Sequence, residues 1–297
     1  MRKAYIYVII TAFLFATMEV SCKIGGASMD PLQLTYIRFV VGGLLLMPLA
    51  VAHLKKHRIR LTAKDHLLLA VVGVIGVTIS MSLFQVAVMM CNASTISVMF
   101  CVNPFFTMVF AHLFANEDFS RNKIMVLAFA LTGIFFMMRP WDVQAGNSAR
   151  GMILIILAAL VFGLYTIVGK VIQKKIGFVA QTSISFLYGA AVLMIILMIL
   201  GRPVIAGLSA NIPVIIYTGV VVTGLGYYCY FKAIELSDAS TGSIAFFLKP
   251  AIAPVIAVIV LRETILWNTV VGILLILTAS LMNLVPANKW KELLHRK

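Results

Sequence analysis

Charged residues are scarce in this chain. Asp, Glu, Lys and Arg make up 11% of its 297 residues, and Asp plus Glu account for only 10 of them. Soluble globular domains carry about 25% charged residues, so an ordinary water-exposed surface is excluded. The 4 cysteines lie in or beside apolar runs without metal-type spacing, so they are expected to be small buried hydrophobes rather than a disulfide framework.

Motifs of catalysis and nucleotide use are missing as well. The sequence has no HExxH zinc pattern, no Gly-x-Ser-x-Gly elbow and no phosphate-binding loop. An intramembrane enzyme is therefore a weak hypothesis, and neither direct ATP use nor a cofactor is expected. A channel is disfavoured because nothing resembles a selectivity filter. A non-transporting membrane scaffold or receptor stays open as an alternative.

Hydrophobic residues are what the sequence has in excess. They form 62% of the chain, with a mean hydropathy of +1.05. A hydrocarbon core about 30 Å thick needs about 20 helical residues per crossing, and ten runs approach that length. They predict an all-α polytopic membrane protein with spans at 5–23, 31–54, 66–90, 93–115, 123–138, 151–171, 178–200, 212–231, 240–261 and 267–285.

The net charge of +14 has a topological explanation. Cytoplasmic loops are enriched in Lys and Arg. Two basic residues, Arg38 and Lys249, lie within apolar runs. If the N-terminus is inside, all the other Lys and Arg residues fall on the inner side except Lys23, Arg139, Arg150, Arg202 and Arg262. Both termini are therefore predicted to be cytoplasmic, in a bacterial inner membrane if the host is bacterial, and nucleic-acid binding is not expected. The first run exceeds the 7–15 residues of a signal core, so we expect a retained helix.

The sequence repeats itself after 146 residues. Residues 92–95 superpose on residues 238–241, and Pro104 superposes on Pro250. Further matched pairs are Ser97 with Ser243, Val109 with Val255, Ala111 with Ala257 and Glu117 with Glu263, and a shift of 147 pairs Phe15 with Phe162. The predicted halves are residues 1–145 and 146–297, with five helices each. Since five is odd, the second half would be inverted, as in many secondary transporters.

Three parts of the chain resemble the EamA-type family of the drug/metabolite transporter superfamily. Residues 36–43, which include Arg38, resemble its second-helix motif, and residues 12–23 resemble its first helix. Residues 104–117 and 250–263 resemble the stretch that runs from a helical Pro to a Glu. The resemblance implies a carrier with two five-helix EamA repeats that moves small metabolites, often exporting amino acids or related compounds.

Glu19, Arg38 and Lys249 are charged residues inside the apolar runs. A charge near the bilayer centre costs at least about 2.5–3.5 kcal/mol, so each needs a partner, a watery cavity or a functional role. At a rise of 1.5 Å per residue, Arg38 and Lys249 lie roughly halfway through their spans. These three residues are therefore the first candidates for a site.

Lys249 precedes Pro250, and its repeat mate Asn103 precedes Pro104. Each Pro leaves the carbonyl one turn earlier without its helical hydrogen bond and so favours a kink in the helix. Carriers place their substrate beside polar groups at such kinks near the membrane midplane. Lys249 and Asn103 are thus predicted to bind substrate, with Lys249 contacting a carboxylate. Lys249 could instead lose its proton and couple transport to proton movement, or form a structural ion pair with Glu19.

The other two charges admit structural roles. Arg38 is expected to satisfy backbone carbonyls or to pair with Glu19 and hold helices together. Glu19 has Lys23 four residues later, so a local pair is one explanation, and a proton-coupling carboxylate is the other. Protons are accordingly a candidate coupling ion.

A second group of candidates is polar or aromatic. Tyr165, Tyr188, Tyr227 and Gln85 are predicted to contribute to the substrate cavity. Other members of the group, expected to pack or to anchor helix ends, are Thr166, Tyr228, Tyr230, Trp141, Trp267, Trp290 and His112, while Glu117 and Glu263 are expected to cap or order helix ends. Strict Gly-xxx-Gly motifs are absent, which leaves the oligomeric state open.

Overall fold

The computed structural model describes residues 2–115, 121–138, 146–236 and 239–284, and no β-strand occurs in these ranges. Seven helical stretches in them are long and apolar enough to cross a membrane: Lys3–Ser28, Pro31–Lys56, Ala63–Met90, Ala93–Phe114, Ala149–Ile176, Phe178–Ile199 and Ser209–Ala233. Shorter apolar helices cover Ala128–Met137, Leu248–Leu261 and Trp267–Ala279. The chain is a multi-pass membrane protein, which confirms the prediction from composition.

The α-helices of the first half are α1 (Arg2–Ala16), α2 (Met18–Ser28), α3 (Pro31–Lys56), α4 (Ala63–Gly73), α5 (Ser82–Met90), α6 (Ala93–Phe100), α7 (Asn103–Ala115) and α8 (Arg121–Met138). Those of the second half are α9 (Ala149–Ile176), α10 (Phe178–Ile199), α11 (Ile212–Ile215), α12 (Gly226–Leu236), α13 (Ala239–Leu261) and α14 (Trp267–Leu284). A π-helical segment, Val74–Met81, joins α4 to α5, and another, Ile216–Leu225, joins α11 to α12. A short 3₁₀ turn, Ser209–Asn211, precedes α11.

Several helix starts follow from local sequence. Asp30 caps α3 by accepting hydrogen bonds from the backbone N–H groups of Leu32 and Gln33, and the helix begins at Pro31, the first residue of the predicted span 31–54. Thr62 and Asp65 form a reciprocal capping box at the start of α4. These caps satisfy backbone donors that would otherwise be unpaired at the helix ends.

Polar contacts define two ends of the helix bundle. At the end that we call the Lys23 end, Lys23 contacts the carbonyl of Cys91, and Asp30 pairs with Arg202. At the opposite end, called the Lys175 end, Lys175 pairs with Asp65. Because cytoplasmic loops are enriched in Lys and Arg, the Lys175 end is predicted to face the cytoplasm.

Helices from the two halves pack against each other throughout. Helix α3 contacts α10, α1 contacts α12 and α13, α9 contacts α5 and α7, and α8 contacts α14. Glycines permit the closest approaches, because a Cβ built at Gly189 would lie 2.7 Å from Val77 Cβ and from the carbonyl carbon of Gly73. Large apolar side chains such as Ile9 and Leu44 remain on the outside, where lipid would cover them.

The Gly73–Gly189 crossing gives a stability prediction. Gly189→Ala is expected to destabilise the protein by about 1–3 kcal/mol, because the new methyl overlaps the backbone of α4. Gly169→Ala is the matched control, since its Cβ would meet its nearest neighbour, Gln181, at 3.4 Å, an ordinary contact. Thermal unfolding in one detergent compares the two variants. Equal melting temperatures would contradict close packing at Gly189.

Candidate functional site

The fourth predicted span is broken near its middle. Pro104 has no N–H to give to the carbonyl of Phe100, and the helix is interrupted at Cys101 and Val102. The Asn103 side chain compensates, because its Nδ2 donates to the Phe100 carbonyl at 2.9 Å. Helix α13, the repeat counterpart of this fourth span, stays helical through Pro250 and Pro254. The break places a buried amide beside a helix end inside the bundle.

Lys249 and Glu19 form a buried ion pair at the centre of the molecule. The distance between Lys249 Nζ and Glu19 Oε1 is 2.5 Å, and the two side chains are 2% and 1% exposed. Within the described ranges, the second carboxylate oxygen of Glu19 has no hydrogen-bond partner. The face of the Phe100 ring lies 5.6 Å from Lys249 Nζ. The pair joins the first half to the second half, as the ion-pair alternative for Lys249 predicts.

Arg38 is a second buried cation at this place. Its guanidinium lies over the rings of Phe39 and Phe84 at 4.6 and 5.9 Å, and one nitrogen contacts Met81 Sδ. Its Nε has no hydrogen-bond partner in the part of the chain that the structure describes. Among the described residues no ion pair includes Arg38. The expected pairing between Arg38 and Glu19 is therefore not formed in this conformation, since Glu19 pairs with Lys249.

Both cations line a small cavity. It measures about 20 Å³, enough for roughly one water molecule. Its lining includes Arg38, Lys249 and Tyr227, together with the aromatic residues Phe15, Phe39, Phe100, Phe162 and Phe246. A substrate the size of an amino acid does not fit there unless side chains move.

A wider cavity of about 230 Å³ adjoins it. Phe162, Tyr227 and Phe246 line both cavities and so separate them. The wider cavity begins at Asn103 and continues to Gln173 at the Lys175 end. Among the described residues no charged side chain lines it, and the polar groups are amides and hydroxyls: Asn103, Thr107, Tyr165, Thr166, Gln173, Gln181, Thr182, Tyr227 and Tyr230.

Most of the predicted cavity residues meet here, but two do not. Asn103, Tyr165 and Tyr227 line the wider cavity. Tyr188 lies instead at the Lys175 end, where its hydroxyl bonds His66 Nδ1 at 2.8 Å. Gln85 lies against α2 and donates to the Cys22 carbonyl. Both side chains are engaged by helix ends or backbone, so they do not line either of these cavities.

The aromatic residues around the cations were not predicted as site residues. Phe100 and Phe246 are repeat mates at a shift of 146, and Phe15 and Phe162 are mates at a shift of 147. All four line the small cavity. Repeat pairing was the signal that could have identified them, since carriers built from repeats place their sites at the repeat interface.

The remaining expectations have mixed outcomes. Lys23 contacts Glu263 and not Glu19, so the local pair expected on α2 is wrong. Glu263 accepts from the backbone N–H groups of Ala93 and Ser94, so it caps a helix, but that helix is α6 of the other half. Trp267 is exposed at the start of α14, and His112 is exposed on α7. Glu117, Trp141 and Trp290 lie outside the described residues.

The arrangement suits reversible binding of a small polar molecule. The described part of the chain holds no group of three His, Cys, Asp or Glu side chains that could ligate a metal ion. Two cations at the inner end of a polar cavity, enclosed by helices of both halves, are typical of a binding site in a membrane carrier.

Comparison with known proteins agrees with that class. The model of the EamA-like transporter family matches residues 2–139 and 149–285. The chain therefore belongs to the EamA-like transporter family and is a membrane transporter. An "Uncharacterized transporter" of Clostridium kluyveri is 36% identical over 300 residues, covering 99% of this chain and 96% of that protein. The "Uncharacterized transporter YoaV" of Bacillus subtilis is 23% identical over 286 residues, covering 95% and 97%.

A solved crystal structure among those that match has the same fold. It superposes with a TM-score of 0.66 at 14% sequence identity and covers 94% of this chain and 96% of its own. At that identity the likeness concerns helix arrangement alone.

Proposed function

We propose that this transporter is a secondary carrier in which Lys249 binds the carboxylate of a small metabolite, an amino acid or a related compound. In the proposal, ten spans form two inverted repeats, residues 1–145 and 146–297, and the cavity between them opens to either side in turn. The observation that supports it best is the buried Lys249–Glu19 pair at the inner end of the cavity. Ionisable residues buried in a membrane are rare and costly, and they commonly mark substrate or ion pathways, which supports a functional role for this pair.

Charge balance supports an anionic substrate. Glu19 compensates one of the two cations at the site, so Lys249 and Arg38 leave an excess of one positive charge. The other carboxylates in the described part of the chain, Asp30, Asp65, Glu235 and Glu263, all contact cations elsewhere. A substrate with one net negative charge would remove the excess, which ranks a monocarboxylate above a zwitterionic amino acid.

Binding requires Glu19 to leave Lys249, because the small cavity has room for only about one water. The unpartnered Nε of Arg38 offers the displaced carboxylate a new donor. We infer that Glu19 moves from Lys249 to Arg38 as the substrate carboxylate takes its place. Proton uptake by Glu19 is the second route, and it would make the proton a coupling ion.

The direction of transport is proposed from where the cavity opens. Its wider part continues to Gln173 and Phe178 at the Lys175 end, close to Lys174 and Lys175. That end is predicted to be cytoplasmic. A cavity open on that side can load substrate from the cytoplasm, and the family resemblance implies export, so we propose an exporter with both chain termini inside.

Counterflow in proteoliposomes tests the function. Vesicles loaded with one compound are expected to accumulate its labelled form transiently, for at least one member of a panel of monocarboxylates, dicarboxylates and amino acids. Monocarboxylates are expected to exchange fastest. Exchange of no compound on the panel would favour a membrane enzyme, a scaffold or a receptor. Labelled solute that only leaks down its gradient would indicate a channel.

A further inference from the structure

Glu263 makes four polar contacts at the Lys23 end. Its Oε1 accepts from the Ala93 N–H at 2.6 Å and lies 3.4 Å from Lys23 Nζ. Its Oε2 accepts from the N–H and the hydroxyl of Ser94 at 3.0 and 2.7 Å. We call these four residues the Glu263 cluster. It joins the connection after α13 to the start of α6. Helix α6 is the first part of the broken fourth span.

The Glu263 cluster fixes the helices that close the cavity at this end. Lys23 also donates to the Cys91 carbonyl at 2.6 Å, so the end of α5 is included. Just inside the cluster, Val20, Ala93 and Ala257 pack as a buried apolar group from α2, α6 and α13. The Glu263 side chain itself is only 6% exposed. None of the residues in the Glu263 cluster lines either central cavity, whereas the wider cavity continues to Gln173 at the other end.

We propose that Glu263 is a positioning residue of the transport cycle, which holds the Lys23 end closed while the cavity faces the Lys175 end. The inference rests on the proposed alternation of access. For the cavity to face the Lys23 end, α6 must separate from α2 and α13, and the Glu263 contacts to Ala93 and Ser94 must break. Removing the carboxylate therefore shifts the protein toward the state that is open at the Lys23 end.

The native cysteines report that opening. Cys22 and Cys91 adjoin the cluster and are 0% and 1% exposed, and Cys229 on α12 is also buried but lies outside both cavities. In lipid nanodiscs, a charged maleimide is expected to modify Cys22 and Cys91 about tenfold or more faster in Glu263→Gln than in the wild type, as mass spectrometry of peptides would measure. Loss of a hydrogen-bonded charge shifts an equilibrium by about that factor. Cys229 is expected to stay unreactive.

Two further variants serve as a graded comparison and as a control. Lys23→Gln removes one contact of the cluster and is expected to change the labelling in the same direction by a smaller factor. Arg202→Gln breaks the Asp30–Arg202 pair at the same end, where Arg202 is 47% exposed, and is expected to leave labelling unchanged. Unchanged labelling of Cys22 and Cys91 in Glu263→Gln would overturn the proposal. Faster labelling of Cys229 in the same variant would also overturn the proposal, because it would indicate destabilisation of the whole helix bundle. Counterflow is not involved, so this result is separate from the test of the function.

Discussion

Lys249→Met is expected to lower substrate counterflow by at least about 30-fold, because truncating one partner of a desolvated charge contact costs about 2–5 kcal/mol. The variant removes the group that we propose to hold the substrate carboxylate. Lys232→Met is the matched control. Lys232 belongs to the same half and pairs with Glu235, but that pair is exposed, so transport is expected to be unchanged.

Lys249→Met is also expected to destabilise the protein, and a double variant distinguishes this loss of stability from the loss of transport. With Lys249 gone, Glu19 is buried without a cation, and breaking a buried pair in this way costs about 3–5 kcal/mol. The double variant Glu19→Gln, Lys249→Met removes both charges and is expected to recover most of the melting temperature and folded yield. It is still expected to lack transport. Recovery of transport together with stability would show that Lys249 is purely structural.

Glu19→Gln is expected to bind an anionic substrate at least about tenfold more tightly and to transport it more slowly. Without the Glu19 carboxylate, neither Lys249 nor Arg38 has a counter-charge at the site, so an anion gains more by binding and leaves less readily. Calorimetric titration measures the affinity, and the concentration dependence of counterflow measures the maximum rate.

The pH profile of that variant distinguishes the two routes for Glu19. If Glu19 moves to Arg38, the wild type and Glu19→Gln share one pH dependence of transport. If Glu19 takes up a proton, the wild-type rate varies with pH and the variant loses that variation. An unchanged affinity, rate and pH profile in Glu19→Gln would exclude both routes and leave Glu19 a bystander.

Much of the fold could be predicted because lipid imposes a simple length rule on apolar helices. The helix start at Asp30 and Pro31 followed from their side chains alone. The π-helical segments Val74–Met81 and Ile216–Leu225 could not be predicted, because a wholly apolar run contains no signal for hydrogen-bond register. The first span was placed too short because it was ended at the charge of Lys23, whereas helix α2 continues to Ser28.

The candidate site was only partly predictable. Glu19 and Lys249 were identified because buried charges are costly, and their pairing was one of the alternatives. Tyr188 and Gln85 were grouped with the site by residue type, but the side on which a residue of an apolar helix faces depends on its neighbours. Lys23 and Glu263 are 240 positions apart, so their contact follows from the tertiary fold and not from local sequence.

The most direct test of the central claim compares a carboxylate with its own carboxamide. In wild-type proteoliposomes, the best carboxylate of the counterflow panel is expected to exchange at least about 30-fold faster than the amide of the same shape, because only the carboxylate can replace Glu19 at Lys249. Equal exchange of the two compounds would contradict the assignment of Lys249 as the group that binds the substrate.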